Sequence, residues 1–321
     1  MTPPYTLTPQ ILKLISEISH LLGRLESLTL SIPGPKLRRK NRIRTIKATL
    51  AIEGNTFTED QISEILESKK VFGSKKEILE VRNAIALYED IENFVPHSVK
   101  SFLKAHFILM SGLVESCGKF RSKNVGVLKG KIVKHVAPKP VLVPELISNL
   151  FTWSKKEKEL HELIKSCIVH YEVEFIHPFE DGNGRMGRFW QSVILTKFNP
   201  VFKYVPVESL IEKNQQKYYE ALEKSDLAGN STLFIEFMLS VIFESLKEFD
   251  SETMGVTVTE DERLLKAKIH FSEKSFSRKD YMELFKSISS ATASRDLKSG
   301  SELKKLRVSG QGNQTRYKFI L

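Results

Sequence analysis

The chain has 321 residues, with 49 Lys and Arg against 39 Asp and Glu for a formal charge of +10, and 41% of its residues are hydrophobic. That length and apolar fraction allow two or three packed domains and exclude wholesale disorder. Its two cysteines, Cys117 and Cys167, are too few for a disulfide framework and too isolated for a zinc site, so both are expected as reduced thiols in a cytoplasmic protein.

In chain order, the N-terminus Met-Thr-Pro-Pro-Tyr-Thr has neither a basic head nor an apolar stretch, and no signal peptide is expected. A basic cluster follows at Lys36 to Lys47 (Lys36, Arg38, Arg39, Lys40, Arg42, Arg44), charge that could serve ATP, acidic protein or nucleic acid. Arg42 to Glu53 reads as a helix with Ile43, Ile46, Leu50 and Ile52 inward, stopped by Gly54 and Asn55. Glu53 then sits at a helix C-terminus, where a carboxylate opposes the macrodipole by ~0.3–1 kcal/mol unless a cation answers it. Asn124 to Val136, with Pro138, Pro140 and Pro144 beyond it, has no helical period and reads as a short hairpin and an extended turn.

From Glu159 to Ile176, Leu160, Leu163, Ile164, Cys167, Ile168 and Tyr171 recur at helical spacing, which predicts a buried helix. The most apolar run, Leu233 to Leu246, carries Glu236 and Glu244 and reads as a core helix; no membrane partner is expected. Asp250 to Gly255 reads as a linker after a helix ending near Phe249. Beyond it, Arg263 to Ile269, Arg278 to Phe285 and Ser290 to Lys298 look helical, Lys298 to Glu302 reads as a turn, and Leu306 to Ser309 and Thr315 to Ile320 read as strands around a Gly310 to Asn313 turn. Helices followed by a basic hairpin make a winged helix-turn-helix. Arg295 and Lys298 would face a groove, and Arg307, Arg316 and Lys318 would flank the wing, if this piece contacts DNA; it could equally dimerise or dock protein.

The densest chemistry lies at residues 177 to 188, His-Pro-Phe-Glu-Asp-Gly-Asn-Gly-Arg-Met-Gly-Arg. Pro178 cannot continue the preceding helix and biases His177 away from the helical region, so the imidazole is set at a break. Gly182 and Gly184 let backbone amides approach an anion at the start of the next helix. Arg185 and Arg188, three apart on that helix, share a face and can reach one polyphosphate with fork geometry. Asp181 offers a hard oxygen for magnesium, which keeps several waters and takes other ligands from substrate phosphates. Together these residues read as a triphosphate site with a base attached.

This stretch resembles the signature of the Fic family (filamentation induced by cyclic AMP), His-Pro-Phe-x-(Asp/Glu)-Gly-Asn-(Gly/Lys)-Arg-x-x-Arg, at every fixed position. The resemblance implies an all-α Fic helical bundle with a β-hairpin flap and transfer of AMP from ATP to a Tyr, Thr or Ser hydroxyl of a protein, which could be this chain itself. His177 would be the general base, a task suited to an imidazole of unperturbed pKa about 6.5. Asp181 would hold Mg2+; Gly182, Asn183 and Gly184 would stabilise the α-phosphate, Arg185 the β-phosphate and Arg188 the γ-phosphate, with Met186 and Gly187 in the same nucleotide-binding stretch.

Thr49-Leu-Ala-Ile-Glu53-Gly54 is similar to the family's inhibitory pattern (Ser/Thr)-x-x-x-Glu-(Gly/Asn), which implies that Glu53 pairs with Arg188 and misaligns ATP. In some members the same glutamate positions a water for AMP removal, and both directions stay open. The resemblance gives the hairpin as a flap over the nucleotide that pairs with the target by strand addition, with Ile132, Val133, Lys134 and His135 as candidates. Tyr218 and Tyr219 resemble the segment lining the adenine pocket, although either can be core, and Asp226 stands where members often have asparagine. The expected organisation is an N-terminal helical region with the inhibitory helix at 1–95, a catalytic core at 96–250 and a winged helix-turn-helix at 256–321. Homodimerisation is compatible with it. The rival reading is a DNA-binding regulator whose Fic fold senses nucleotide without turnover, and a third keeps the enzyme but moves phosphate, UMP or phosphocholine.

Overall fold

The structure, a computed structural model, describes residues 2–28, 34–129, 132–254, 260–285 and 288–320, with backbone alone at 27–28, 126–129, 132–136, 254, 262 and 313. Five helices come first: α1 (Pro9–Leu28), α2 (Pro35–Ala51), α3 (Glu59–Leu66), α4 (Lys75–Glu89) and α5 (Val99–Met110). An antiparallel hairpin, β1 (Gly126–Lys129) and β2 (Ile132–Val136), separates them from α6 (Val143–Lys156), α7 (Glu162–Ile176), α8 (Asn183–Phe198), α9 (Val207–Lys213), α10 (Gln215–Ala228) and α11 (Thr232–Met254). The chain ends with α12 (Glu260–Phe271), α13 (Arg278–Leu284), α14 (Ser290–Glu302) and a second antiparallel pair, β3 (Leu306–Ser309) and β4 (Arg316–Phe319). The fold is all-α with a small hairpin in its larger part, as expected. No helix among the described residues is long and apolar enough to cross a membrane.

Two compact units divide the chain: Met1–Leu22 with Lys36–Phe249, and Gly23–Pro35 with Asp250–Leu321. In the first, α7 and α8 pack on each other at the centre. A Cβ at Gly187 would stand 2.7 Å from the His170 ring and 2.8 Å from Glu174, so only glycine lets the two helices approach this closely. Against this pair lies an aromatic core in which the rings of Phe102, Phe151, Phe179 and Trp190 meet edge-to-face, tilted or stacked, with the Trp190 indole donating to the Pro96 carbonyl. A second cluster joins Ile43, Ile46 and Leu50 of α2 to Phe57, to Ile62 of α3 and to Val81 of α4. The expected inward face of α2 is therefore the buried one. Helix α3 begins in a capping box between Thr58 and Gln61, and α2 ends at Ala51, two residues before the expected Glu53, in a turn closed by Gly54, whose φ of 90° suits glycine.

In the hairpin, Val127 faces His135 and Leu128 faces Val133, so Lys134 is an extra residue that bulges β2. Residues 130 and 131 of the expected turn lie outside the described residues.

The second unit has its own core of Leu264, Phe276, Tyr281, Leu297, Leu306 and Phe319. Inside it Arg263 donates a fork to Asp296, at 2.6 and 2.8 Å, and the Tyr281 hydroxyl donates to the same carboxylate. Two expectations are corrected here. The helix expected to end near Phe249 continues to Met254, and the turn expected at Lys298 to Glu302 is the last part of α14. Gly300 is small for packing: a Cβ there would meet Leu306 at 2.9 Å and Leu264 at 3.1 Å.

Candidate active site

The loop between α7 and α8 is shaped from within. Helix α7 ends at His177, which takes left-handed φ 50° and ψ 60°. Pro178 is expected to keep His177 out of the helical region, and the left-handed cap does so. The Asn183 side chain then locks the turn, its Oδ1 accepting from the Phe179 amide at 2.8 Å and its Nδ2 donating to the Phe179 carbonyl at 2.9 Å. Both polar ends are occupied within the loop, so what Asn183 offers an anion is its backbone amide. Gly182 starts α8 at φ 85°, and the first-turn amides behind it have no intrahelical acceptor.

His106 of α5 braces this loop. Its ring stacks on Phe179 with centroids 3.6 Å apart, the Gly118 amide donates to its Nδ1 at 2.9 Å, and its Nε2 therefore carries the proton that bonds the Asp181 carbonyl at 3.0 Å. Burial pushes its pKa down from 6.5 to about 4. The folded value lies below the unfolded one, so the stability contributed by neutral His106 is present above pH about 6.5 and is lost as pH falls towards 4. Across that window it amounts to about 3 kcal/mol. Denaturant titrations at pH 7 and pH 4 are expected to show wild type losing about 3 kcal/mol more than His106→Gln. An equal loss in both proteins would refute the assignment.

Asp181 keeps a side chain 54% exposed, with Oδ1 accepting from the Gly182 amide at 2.6 Å and 3.3 Å from the Arg185 guanidinium. Among the described residues no cluster of three or more His, Cys, Asp or Glu side chains could hold a metal by itself. A lone exposed carboxylate of this kind fits magnesium that draws its remaining ligands from water and phosphate. Arg185 also lies 3.8 Å from Glu80 of α4.

Arg188 is 1% exposed and held from α2. Its Nε donates to the Thr49 hydroxyl at 3.1 Å, and one terminal nitrogen donates to the Thr49 carbonyl at 3.2 Å and to Glu53 Oε1 at 2.7 Å. Thr49 on the last turn of α2 and Glu53 in the turn that follows it are four residues apart, and both reach one guanidinium. Burial alone would lower the Arg188 pKa, but Glu53, Tyr218 and Glu174 hold it above its ordinary range. Gly184 leaves room for this contact, since a Cβ there would lie 2.5 Å from Glu53 Oε1.

The remaining expected site residues differ in exposure and partners. Met186 is fully buried in the aromatic core and Gly187 faces α7, so neither side offers a group to a nucleotide. Tyr218 is 1% exposed, its hydroxyl 3.1 Å from His170 Nε2 and 3.2 Å from Glu174 Oε1; Tyr219 is 44% exposed. Burial would raise the Glu174 carboxyl, but His170, Arg188 and His177 hold it below its usual value. Asp226 accepts from the Tyr171 hydroxyl at 2.8 Å. Ile132 and Val133 lie on β2, where only the backbone is described. Sequence reasoning missed His106, Arg121, Glu80 and Glu174. Only Glu174 carried a signal, as a charged residue on the last turn of an otherwise buried helix.

Comparison with known proteins places this geometry. Residues 96–195 match the Fic/DOC family. A solved structure of a Fic family protein from Desulfovibrio desulfuricans G20 is 38% identical, with a TM-score of 0.74 over 100% of this chain and 98% of that one. The fold alone is shared with Fic-1 from C. elegans, at 21% identity and a TM-score of 0.62 over 75% of this chain and 72% of that one. A curated relative, the protein adenylyltransferase Fic of Nematostella vectensis, is 27% identical over 251 residues, 72% of this chain and 55% of that protein. The chain spans about half the length of the curated relatives it matches. On the near end-to-end similarity to a Fic family protein, together with an intact His177-to-Arg188 motif, the chain belongs to the Fic family.

Proposed function

We propose that this protein is an adenylyltransferase that moves AMP from ATP to a Tyr, Thr or Ser hydroxyl of a protein and is restrained by its own Glu53. The observation that carries the reading is the convergence, around one helix N-terminus, of His177, free first-turn amides and two arginines, with Arg188 engaged by Thr49 and Glu53. His177 takes the proton of the attacking hydroxyl as its oxygen bonds the α-phosphorus. The bond from that phosphorus to the bridging oxygen breaks, and pyrophosphate leaves. First-turn amides of α8 stabilise the charge on the α-phosphate, Arg185 takes the β-phosphate and Arg188 the γ-phosphate. Asp181 would hold Mg2+, which supplies charge neutralisation on the phosphates. Tyr219, the exposed member of its pair, is the one available to pack on the purine.

With Arg188 held by Glu53, the γ-phosphate loses its grip and ATP sits out of line. Hydrolytic removal of AMP, with Glu53 aligning a water, belongs to the same proposal. Mass spectrometry and labelling of the Glu53→Gly protein test the reaction: label on the α-phosphate of ATP is expected on protein, and label from the γ-phosphate alone would make the enzyme a kinase instead.

A specific observation favours a second role for the C-terminal unit, read as a winged helix. Arg307 and Lys318 are directly opposite in the β3–β4 pair, a like-charge pairing that costs stability, and both are exposed without an ion-pair partner among the described residues. A polyanion such as duplex DNA would relieve it. Salt-dependent binding of the full chain to a random duplex, weakened by Arg307→Ala with Lys318→Ala, is the expected result; no binding at low salt would dispose of this role.

A further inference from the structure

Arg121 lies between α5 and β1, is 3% exposed, and directs its guanidinium at backbone alone. Its Nε donates to the His177 carbonyl at 2.7 Å, and one terminal nitrogen donates to the Lys123 carbonyl at 2.9 Å. The other terminal nitrogen donates to the Pro138 carbonyl at 2.6 Å and the Ile176 carbonyl at 3.3 Å. Its own amide donates to the Pro178 carbonyl at 3.0 Å. Lys123 and Pro138 are the two roots of the hairpin, just outside β1 and β2, while Ile176, His177 and Pro178 are where α7 gives way to the active-site loop. No carboxylate lies within ion-pair distance of Arg121 among the described residues, and burial lowers its pKa. A cation here is suited instead to the unsatisfied carbonyls and negative dipole end of α7.

We propose that Arg121 is a positioning residue that holds the hairpin roots and the His177 backbone in one frame, so that an acceptor strand seated on the hairpin arrives in register with the imidazole. The left-handed backbone of His177 persists only where its surroundings over-determine it, and Arg121 supplies bonds to the carbonyls of both His177 and the next residue. The fork geometry is needed for this: five donors in one plane can span four carbonyls from three chain segments, whereas a lysine presents one point of charge. This proposal rests on the transferase reading above.

The test uses the full-length chain carrying Glu53→Gly, with Arg121→Lys and Arg121→Met added separately. Three quantities are compared: AMP transfer to protein from α-labelled ATP, hydrolysis of the same ATP to AMP by water, and ATP affinity. Transfer is expected to fall roughly tenfold or more in both variants while ATP affinity stays within about twofold and hydrolysis by water falls clearly less than transfer, because water needs the imidazole but no hairpin. Amide exchange is expected to quicken at residues 123–129, 132–137, 177 and 179 together. Unchanged transfer and exchange in Arg121→Lys would overturn the proposal, as would a parallel loss of ATP binding and hydrolysis in a folded variant, which would mark a general structural role. Should Arg121→Met fail to fold, Arg121→Lys and its exchange pattern decide. If the Glu53→Gly parent transfers no AMP at all, the transferase reading fails, while the exchange measurement on the wild-type background still judges the frame.

Discussion

Glu53→Gly is expected to label itself from α-labelled ATP roughly 10- to 150-fold faster than wild type, the rate equivalent of releasing one charge-assisted hydrogen bond worth ~1.5–3 kcal/mol. The contact removed is the 2.7 Å bond from Arg188 to Glu53 Oε1. Thr49 remains to hold the guanidinium, and Glu174 still offsets its charge, so the variant should keep Arg188 ordered inside the fold. The gain should therefore come from admitting the γ-phosphate, and it should show as tighter productive ATP binding along with a faster rate. Equal labelling by variant and wild type would remove the autoinhibition and leave the rest of the site unaffected. Thr49→Ala offers an internal comparison, since it loosens the same arginine without freeing it from the carboxylate.

Adding His177→Ala to that activated protein is expected to lower transfer by about 10²–10⁴, the usual contribution of a positioned base, without a matching loss of ATP affinity. The split follows from the structure. The groups proposed to face the phosphates are carried by α8 and its first turn, whereas His177 caps the end of α7 on the other side of the loop. Equilibrium binding of ATP and the rate of label transfer, measured on the same preparations, check it. Transfer that survives the substitution would mean that the attacking hydroxyl loses its proton elsewhere, and the assignment of the base would have to move.

The motif loop was legible in the sequence because its residues act locally: a proline, two glycines and an asparagine fix a bend whatever the rest of the chain does. The end of α2 was legible for the same reason, with Gly54 as its stop. Residues whose role depends on distant partners were not. His106 and Arg121 bond backbone carbonyls and amides many positions away, and a carbonyl carries no residue identity for a pattern to register. Tyr218 and Tyr219 are adjacent and chemically alike, and only the packing of α10 sends one inside and leaves the other out. Gly300 misled in the opposite direction. Flanked by serines it reads as turn chemistry, yet it is needed where α14 passes close to Leu306 and Leu264, a reason for glycine that lies in the tertiary structure alone.

The Glu53–Arg188 contact joins positions 135 apart on a single polypeptide and within one compact unit. A tethered partner meets its site at an effective concentration fixed by the fold, so dilution or overproduction leaves the fraction held back unchanged. Under the proposed autoinhibition, every copy is made with its own restraint in one-to-one ratio. On that reading abundance would scale the output of this protein but not switch it, and a releasing signal would have to strain the short stretch from Thr49 to Gly54 or the packing that seats it.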